Sequence, residues 1–221
     1  MWNSGWDEIF SKTEWGKYPS EELVRFIGRK FFAAPVRKEV RILEVGCGTG
    51  ANLWFLSREG FSTFGIDGSS IAVDRAKTRM QKEGLNAELK TGDIVNLPYE
   101  SEYFDAVIDI ECIYANDLVS TEKILNEVHR VLKPRGYFFS QAFSSGMTGE
   151  ETAERYNGEP RTYSSMPDGP LRSEYGVIRL TERTEISDLY GIFRDLQVDY
   201  IERTKSNSES KLKEWVIVGS K

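Results

Sequence analysis

The chain has two cysteines, one histidine and no apolar run long enough to span a membrane, and each scarcity removes a class of explanation. Cys47 and Cys112 lie far apart, without C-x-x-C spacing or a histidine pair, so neither a zinc site nor a disulfide framework is expected; a reducing compartment is. No other metal site is expected. Lys plus Arg number 29 against 35 Asp plus Glu, a net charge of −6, and no basic stripe is present to hold a phosphate backbone. Nucleic acid is therefore a poor partner. No window reaches the roughly 18 apolar residues of a spanning helix, and Met1-Trp-Asn-Ser-Gly-Trp-Asp lacks the basic start and apolar centre of a signal peptide. A cytoplasmic protein with no membrane partner is expected. At 221 residues the chain fits one domain, large enough to bury a core without metal or disulfide.

What is present begins at Arg41-Ile-Leu-Glu-Val-Gly-Cys-Gly-Thr-Gly50. Ile42, Leu43 and Val45 read as a short buried strand, and Gly46, Gly48 and Gly50 let the backbone turn sharply and approach a ligand before a helix that starts near Asn52. Phe61 to Ile66 reads as a second strand. It ends at Asp67, about 20 residues downstream of the glycines, where a carboxylate can accept hydrogen bonds from two ribose hydroxyls. This pairing points to an adenosine-containing cofactor. Gly46, Gly48 and Ala51 also satisfy the dinucleotide pattern G-x-G-x-x-G/A, so the glycines alone leave a nicotinamide or flavin enzyme open. Glu44, two residues before the first glycine, and Thr91-Gly92-Asp93-Ile94, an acidic loop after a third strand at Ala87 to Lys90, outline a different ligand.

With these motifs the chain resembles the class I S-adenosylmethionine-dependent methyltransferases. Glu44-Val-Gly-Cys-Gly-Thr-Gly50 is similar to that family's first motif, and Asp67 to the acid that closes its second. Gly92-Asp93-Ile94 with Leu97-Pro98, and Phe104-Asp105-Ala-Val-Ile-Asp109, resemble its adenine loop and fourth strand; Val128 to Gly136 resembles its helix, proline turn and fifth strand. The likeness spans about Val40 to Gln141. It implies that Gly46, Cys47 and Gly48 wrap the methionine part of S-adenosyl-L-methionine, with Glu44 and Asn52 nearby. Asp67, followed by Gly68 and Ser69, would take the ribose. Gly92, Asp93 and the Ile94 backbone would take the adenine, and Asp109, Ile110 and Glu111 would border the sulfonium. The competing readings are turn glycines and aspartates that cap helices.

Strand and helix signals alternate along the chain. Leu23, Phe26, Ile27 and Phe31 share one face of a helix over Ser20 to Phe32; Ala72, Ala76 and Met80 do so before Gly84, and Ile124, Leu125, Val128 and Leu132 before Pro134. The expected fold is α/β: three layers, doubly wound around a mostly parallel seven-stranded sheet whose last strand is antiparallel, the Rossmann-like methyltransferase arrangement. Ile186, Leu189, Tyr190 and Phe193 mark a last helix before strands at Leu196 to Arg203 and Glu214 to Gly219, joined by Lys205 to Lys213. One domain is expected, with an amino-terminal cap (1–38), cofactor core (40–141), insertion (143–180) and carboxyl-terminal helix and hairpin (181–221).

The insertion has no clear period and reads as a long loop covering the substrate. Its Arg155, Tyr156, Arg161, Tyr163, Arg172 and Tyr175 suit a small anionic or hydroxylated acceptor, with a solvated surface loop as the alternative. Trp6, Phe10, Trp15 and Tyr18 are too aromatic for a free tail and must bury; Trp15 and Tyr18 are the expected cofactor neighbours, able to favour a cation by about 0.5–2 kcal/mol. Core packing is the rival reading for them.

Methyl transfer from a sulfonium is an in-line displacement in which positioning supplies about 7–11 kcal/mol, so a general base is dispensable. Glu111 or Asp109 could take a proton from a hydroxyl or amine acceptor, and Tyr114 could orient it. His129, on the helix before Lys133-Pro134, reads as structural. The leading expectation is methylation of oxygen or nitrogen on a small molecule. The alternatives are RNA or protein methylation, which the acidity and the sequence Asp109-Ile-Glu-Cys112 disfavour, a non-catalytic cofactor-binding subunit, and an NAD-dependent oxidoreductase.

Overall fold

The computed structural model describes residues 4–172 and 176–221. Its frame is a seven-stranded sheet in the order β3-β2-β1-β4-β5-β10-β9. The chain enters through helix α1 (Gly5–Lys12) and helix α2 (Glu21–Phe31). Ser20 caps α2 by accepting from Leu23 N, and Glu21 and Glu22 at its start with Arg29 and Lys30 at its end complement the helix dipole. Strand β1 (Arg41–Val45), helix α3 (Ala51–Arg58), strand β2 (Ser62–Asp67), helix α4 (Ser70–Lys82) and strand β3 (Glu88–Thr91) build one half. Strand β4 (Phe104–Ile110), helix α5 (Leu118–Val131) and strand β5 (Leu132–Phe143) build the other. Because β1 pairs in parallel with both β2 and β4, the chain leaves β1 toward opposite edges, and the crevice of a doubly wound sheet opens at its carboxyl end.

Pleating sends alternate residues of β1, β4 and β5 to opposite faces. Leu43, Val45, Val107 and Phe138 pack with α5, whereas Ile42, Ala106, Ile108 and Phe139 pack with Leu23, Phe26 and Ile27 of α2. The expected three-layer fold is thus present. Strand β10 (Ser210–Ser220) lies antiparallel between β5 and β9 (Arg194–Lys205).

Four details differ from the expectation. Pro134 does not end the preceding helix in a free turn: it lies inside β5, where pairing jumps from Leu132↔Phe104 to Tyr137↔Ala106. The unpaired residues form a bulge, the place in a sheet where a residue lacking N–H does no harm. The last helix, α6 (Ile186–Leu189), is a single turn, because Tyr190 and Phe193 turn in to stack on Phe138. The final hairpin closes on Ser206, Asn207 and Ser208, all with positive φ, so its strands run longer than the polar sequence suggested. The insertion is not a structureless loop. Strands β6 (Glu154–Arg155), β7 (Thr162–Ser165) and β8 (Ile178–Arg179) form a small antiparallel sheet over Phe143, Met147, Tyr163, Met166, Ile178 and Leu180. Strands of two to four residues are too short to print a period on the sequence.

Among the described residues no helix is long and apolar enough to cross a membrane. Phe138, wholly buried and 4.8 Å from Phe193, joins the sheet to the final segment. Phe138→Ala is expected to lower unfolding free energy by about 3–5 kcal/mol in urea denaturation; a loss under about 1 kcal/mol would mean that this face is not the packed core described.

Candidate active site

The glycine turn after β1 is held from below by the end of β2. Gly46 N and Cys47 N both donate to Ile66 O, at 2.8 and 3.1 Å, and Gly48 N donates to Asp67 Oδ2 at 2.8 Å. Asp67 Oδ1 accepts from Ser69 N at 2.8 Å, and Asp67 O from Gly92 N at 2.9 Å. One residue thereby ties together the loops that follow β1, β2 and β3. Gly46 has φ +67°, and a Cβ there would lie 2.0 Å from Cys112 Sγ, so the loops after β1 and β4 meet too closely for any side chain.

These loops border a cavity of about 320 Å³. Of the expected cofactor residues, Trp15, Tyr18, Glu44, Gly46, Cys47, Gly48, Asn52, Asp67, Gly68, Gly92, Asp93, Ile94 and Ile110 line it, as does Glu111. Ser69 does not; its side chain caps α4 at Ala72 N and donates to Asp7 at 2.5 Å. Asp109 is also off the wall. Its Oδ1 accepts from Cys112 N and Ile113 N at 3.1 and 3.0 Å, and its Oδ2 from Ser140 Oγ at 2.6 Å. Fully buried and fully engaged, it caps the end of β4, and burial raises its pKa to about 6. Tyr114, in a single 3-10 turn at Ile113–Ala115, points away from the cavity lining and meets Phe143 edge-on at 4.7 Å.

The insertion's polar residues are not on the wall either. Arg161 bonds Glu185 at 2.7 Å and Glu182 at 3.2 Å, and the Tyr163 hydroxyl donates to Glu150 at 2.8 Å. Arg155 and Arg172 are exposed, Tyr156 is half-buried, and Tyr175 lies outside the described residues. The arginines expected to clamp an anion are placed elsewhere because the insertion folds on its own small core and uses carboxylates of its own surroundings. Among the described residues every charged side chain on the cavity wall is acidic: Glu44, Asp67, Asp93 and Glu111.

The amino-terminal segment supplies the roof. Trp6, Phe10 and Trp15 form one aromatic cluster with ring separations of 5.4–6.3 Å, and Phe10 lies over Gly48. Helix α4 holds the segment down: Arg75 donates to Thr13 O at 3.0 Å, and Arg79 to Lys17 O at 2.5 Å. Tyr18 meets Trp54 edge-on at 5.7 Å. The expectation that all four aromatics bury is corrected here. Only Phe10 is buried, while Trp15, packed on Trp6 and Phe10, and Tyr18, packed on Trp54, remain 44% and 75% exposed at the mouth of the open cavity. Thr49, Cys112, Ala115 and Asn116 also line the wall without a signal of their own in the sequence, and so does Ala51, which the glycine pattern had marked.

Glu44 is the most telling side chain. It is almost wholly buried; Asn52 Nδ2 donates to its Oε1 at 2.6 Å, and its Oε2 has no partner. Burial, offset in part by Asn52 and reinforced by Asp67 and Asp109, raises it to about 8. A buried, unpaired carboxyl oxygen on a cavity wall costs stability unless a ligand's donor completes it.

A family model described as a methyltransferase domain matches residues 36–211. The chain belongs to the class I S-adenosylmethionine-dependent methyltransferases. A sterol 24-C-methyltransferase of Neurospora crassa is 30% identical over 146 residues, 62% of this chain and 37% of that protein. A fatty-acid O-methyltransferase of Mycolicibacterium smegmatis is 33% identical over 124 residues, 54% of this chain and 44% of that protein. This methyltransferase chain thus aligns with less than half the length of these relatives. In fold it is similar to a SAM-dependent methyltransferase of Methanosarcina mazei, with TM-score 0.68 and 24% identity over 82% of this chain and 92% of that one.

Because the folded protein keeps a proton on Glu44 that the unfolded chain releases between pH about 4.5 and about 8, this residue's contribution to stability falls as pH rises through that window. Urea denaturation of Glu44→Gln against the parent is expected to show the variant gaining relative stability from about pH 5 to about pH 8. A difference independent of pH would contradict the protonated Glu44.

Proposed function

We propose that the chain transfers a methyl group from S-adenosyl-L-methionine to an oxygen or nitrogen atom of a small molecule by in-line displacement. The observation that carries this reading is the juxtaposition of Glu44, with its unpaired buried oxygen, Asp67 and Asp93 along one cavity at the crevice end of a parallel sheet. When bound, the cofactor supplies a methyl group already activated by positive sulfur. Glu44 fits its ammonium group, for which Oε2 lacks a donor. Asp67 fits the ribose, its position fixed by the two backbone N–H groups it accepts. Asp93 and the Ile94 backbone fit the adenine, and Gly46, Cys47 and Gly48 leave room for the methionine chain. Among the described residues the wall offers acidic side chains and no cation, which favours a cationic cofactor over a dinucleotide with two phosphates to balance.

The aromatic roof supports an in-line reaction by excluding water and by offering ring faces to positive charge. The relatives named for sterol and fatty-acid methylation support a small acceptor over a macromolecular one. The relatives leave the acceptor atom open, since their names specify carbon in one case and oxygen in another.

Calorimetry with S-adenosylhomocysteine is expected to show saturable binding to the parent protein, and NADH none. Asp67→Ala should weaken it by about 100-fold, the scale of two hydrogen bonds to a charged group. Parental affinity in that variant would remove Asp67 from the ribose; binding of NADH alone would overturn the methyltransferase reading.

A further inference from the structure

Three of the cavity's four carboxyls are absorbed by the cofactor under the reading above, and the fourth is not. Glu111 follows directly after β4 in a left-handed conformation, φ +52°, which a non-glycine residue rarely adopts. Its backbone N–H donates to Gln141 O at 2.8 Å, fixing that turn against β5. Its side chain is exposed on the cavity wall, and the same Gln141 donates through its side chain to Glu214 of β10, so Gln141 links the Glu111 turn to the Glu214 carboxyl. Glu214 is fully buried, accepts from Gln141 Nε2 at 2.7 Å, and forms an ion pair with Arg203 of β9. Two neighbouring carboxylates repel one another and so favour taking up one proton between them, which gives the cavity wall a proton acceptor backed by the antiparallel strand.

We propose that the acceptor is an amine, that Glu111 binds it and takes its proton, and that Glu214 is the positioning residue that sets Glu111's affinity for that proton. This deepens the methyltransferase reading and rests on it. The chemistry of the wall selects the class: a carboxylate that the ammonium, ribose and adenine of the cofactor leave unused draws an ammonium group, whereas among the described residues no Lys, Arg or His lines the cavity to hold a carboxylate or phosphate. Trp6, Phe10 and Trp15 above it favour a cation as well.

In the reaction the bound ammonium gives one proton to the Glu111–Glu214 pair. The free nitrogen lone pair then forms the bond to the methyl carbon as the carbon–sulfur bond breaks, leaving its electron pair on sulfur. The products are a methylammonium ion and a neutral thioether, so the single positive charge is conserved, and the carboxyl pair returns its proton to water.

Glu111 is held above the usual carboxylate range by burial and then by its interaction with Glu214, with Asp109 adding to this and Arg203 opposing it; the Tyr114 hydroxyl is the other titratable neighbour. Glu111 must be ionised to accept a proton, so methylation of an amine rises with pH through this titration. Glu214→Gln removes a charge that raises it and leaves Arg203, so the midpoint moves to lower pH. Arg203→Gln removes the positive charge beside Glu214 and moves the midpoint to higher pH.

The test uses the full chain loaded with S-adenosylhomocysteine and three probes of one skeleton: benzylamine, benzyl alcohol and benzoate. Ligand-observed NMR is expected to show benzylamine binding at least about tenfold more tightly than the others, an advantage lost in Glu111→Gln. In protein carrying labelled glutamate carboxyl carbons, a carboxyl other than that of Glu44 is expected to titrate above about pH 6, to vanish in Glu111→Gln, and to shift by about one pH unit in opposite directions in Glu214→Gln and Arg203→Gln. Preference for benzoate or benzyl alcohol, or a midpoint that neither variant moves, overturns the proposal while binding of S-adenosylhomocysteine keeps the methyltransferase reading. Failure to bind S-adenosylhomocysteine overturns both.

Discussion

The site depends on a carboxylate buried beneath a turn of three glycines. Asp67 fastens Gly48 and Ser69 through its side chain and Gly92 through its carbonyl, so one residue at the end of β2 aligns the loops after three neighbouring strands. Burial raises the pKa of this carboxyl, and the two N–H donors from Ser69 and Gly48 oppose that rise and favour its charged form. The glycines answer the same constraint. With φ of +67°, +49° and +82° at Gly46, Gly48 and Gly50, the chain reverses over Asp67 in a path a side chain would obstruct, at Gly46 by direct collision with Cys112.

The roof is held by a different kind of interaction. Among the described residues no cross-link fastens residues 4–18; two arginines of α4 grip backbone carbonyls of this segment, and aromatic rings fill the space beneath. Exposed hydrogen bonds of this sort are individually worth about 0.5–1.5 kcal/mol net, far less than the burial that secures α2 against the sheet. The covering segment is thus held more weakly than the floor, an asymmetry suited to a site that must admit and release ligands.

Most of the floor was legible in the sequence. Strand periodicity, glycine spacing and the downstream acid located the crevice, because each reflects a local demand: a pleat, a reversed φ, a hydrogen-bonding carboxylate. What could not be read were properties of distance. Asp109 sits in a motif position beside the cavity, yet Ser140 from β5 and the N–H groups of Cys112 and Ile113 consume its oxygens. The arginines and tyrosines of the insertion carried the right chemistry for an anion, but a cluster around Tyr163 and Met166 turns that segment into a separate small sheet and spends Arg161 on Glu182 and Glu185. Composition named the residues; long-range packing decided where they face.

Glu214 shows the same limit from the opposite side. Within Ser210 to Ser220 it reads as one more charged residue on a strand of mixed polarity, with nothing to connect it to Glu111, roughly a hundred residues earlier. The antiparallel insertion of β10 beside β5 creates the connection, because it sets Glu214 opposite Phe143 at the carboxyl end of β5, where the crevice opens. A parallel final strand would bring its amino-terminal residues to the far end of the sheet instead. The reversed strand therefore does more than join β9 to the sheet: it delivers a buried charge to the one wall that the glycine and aspartate motifs do not build.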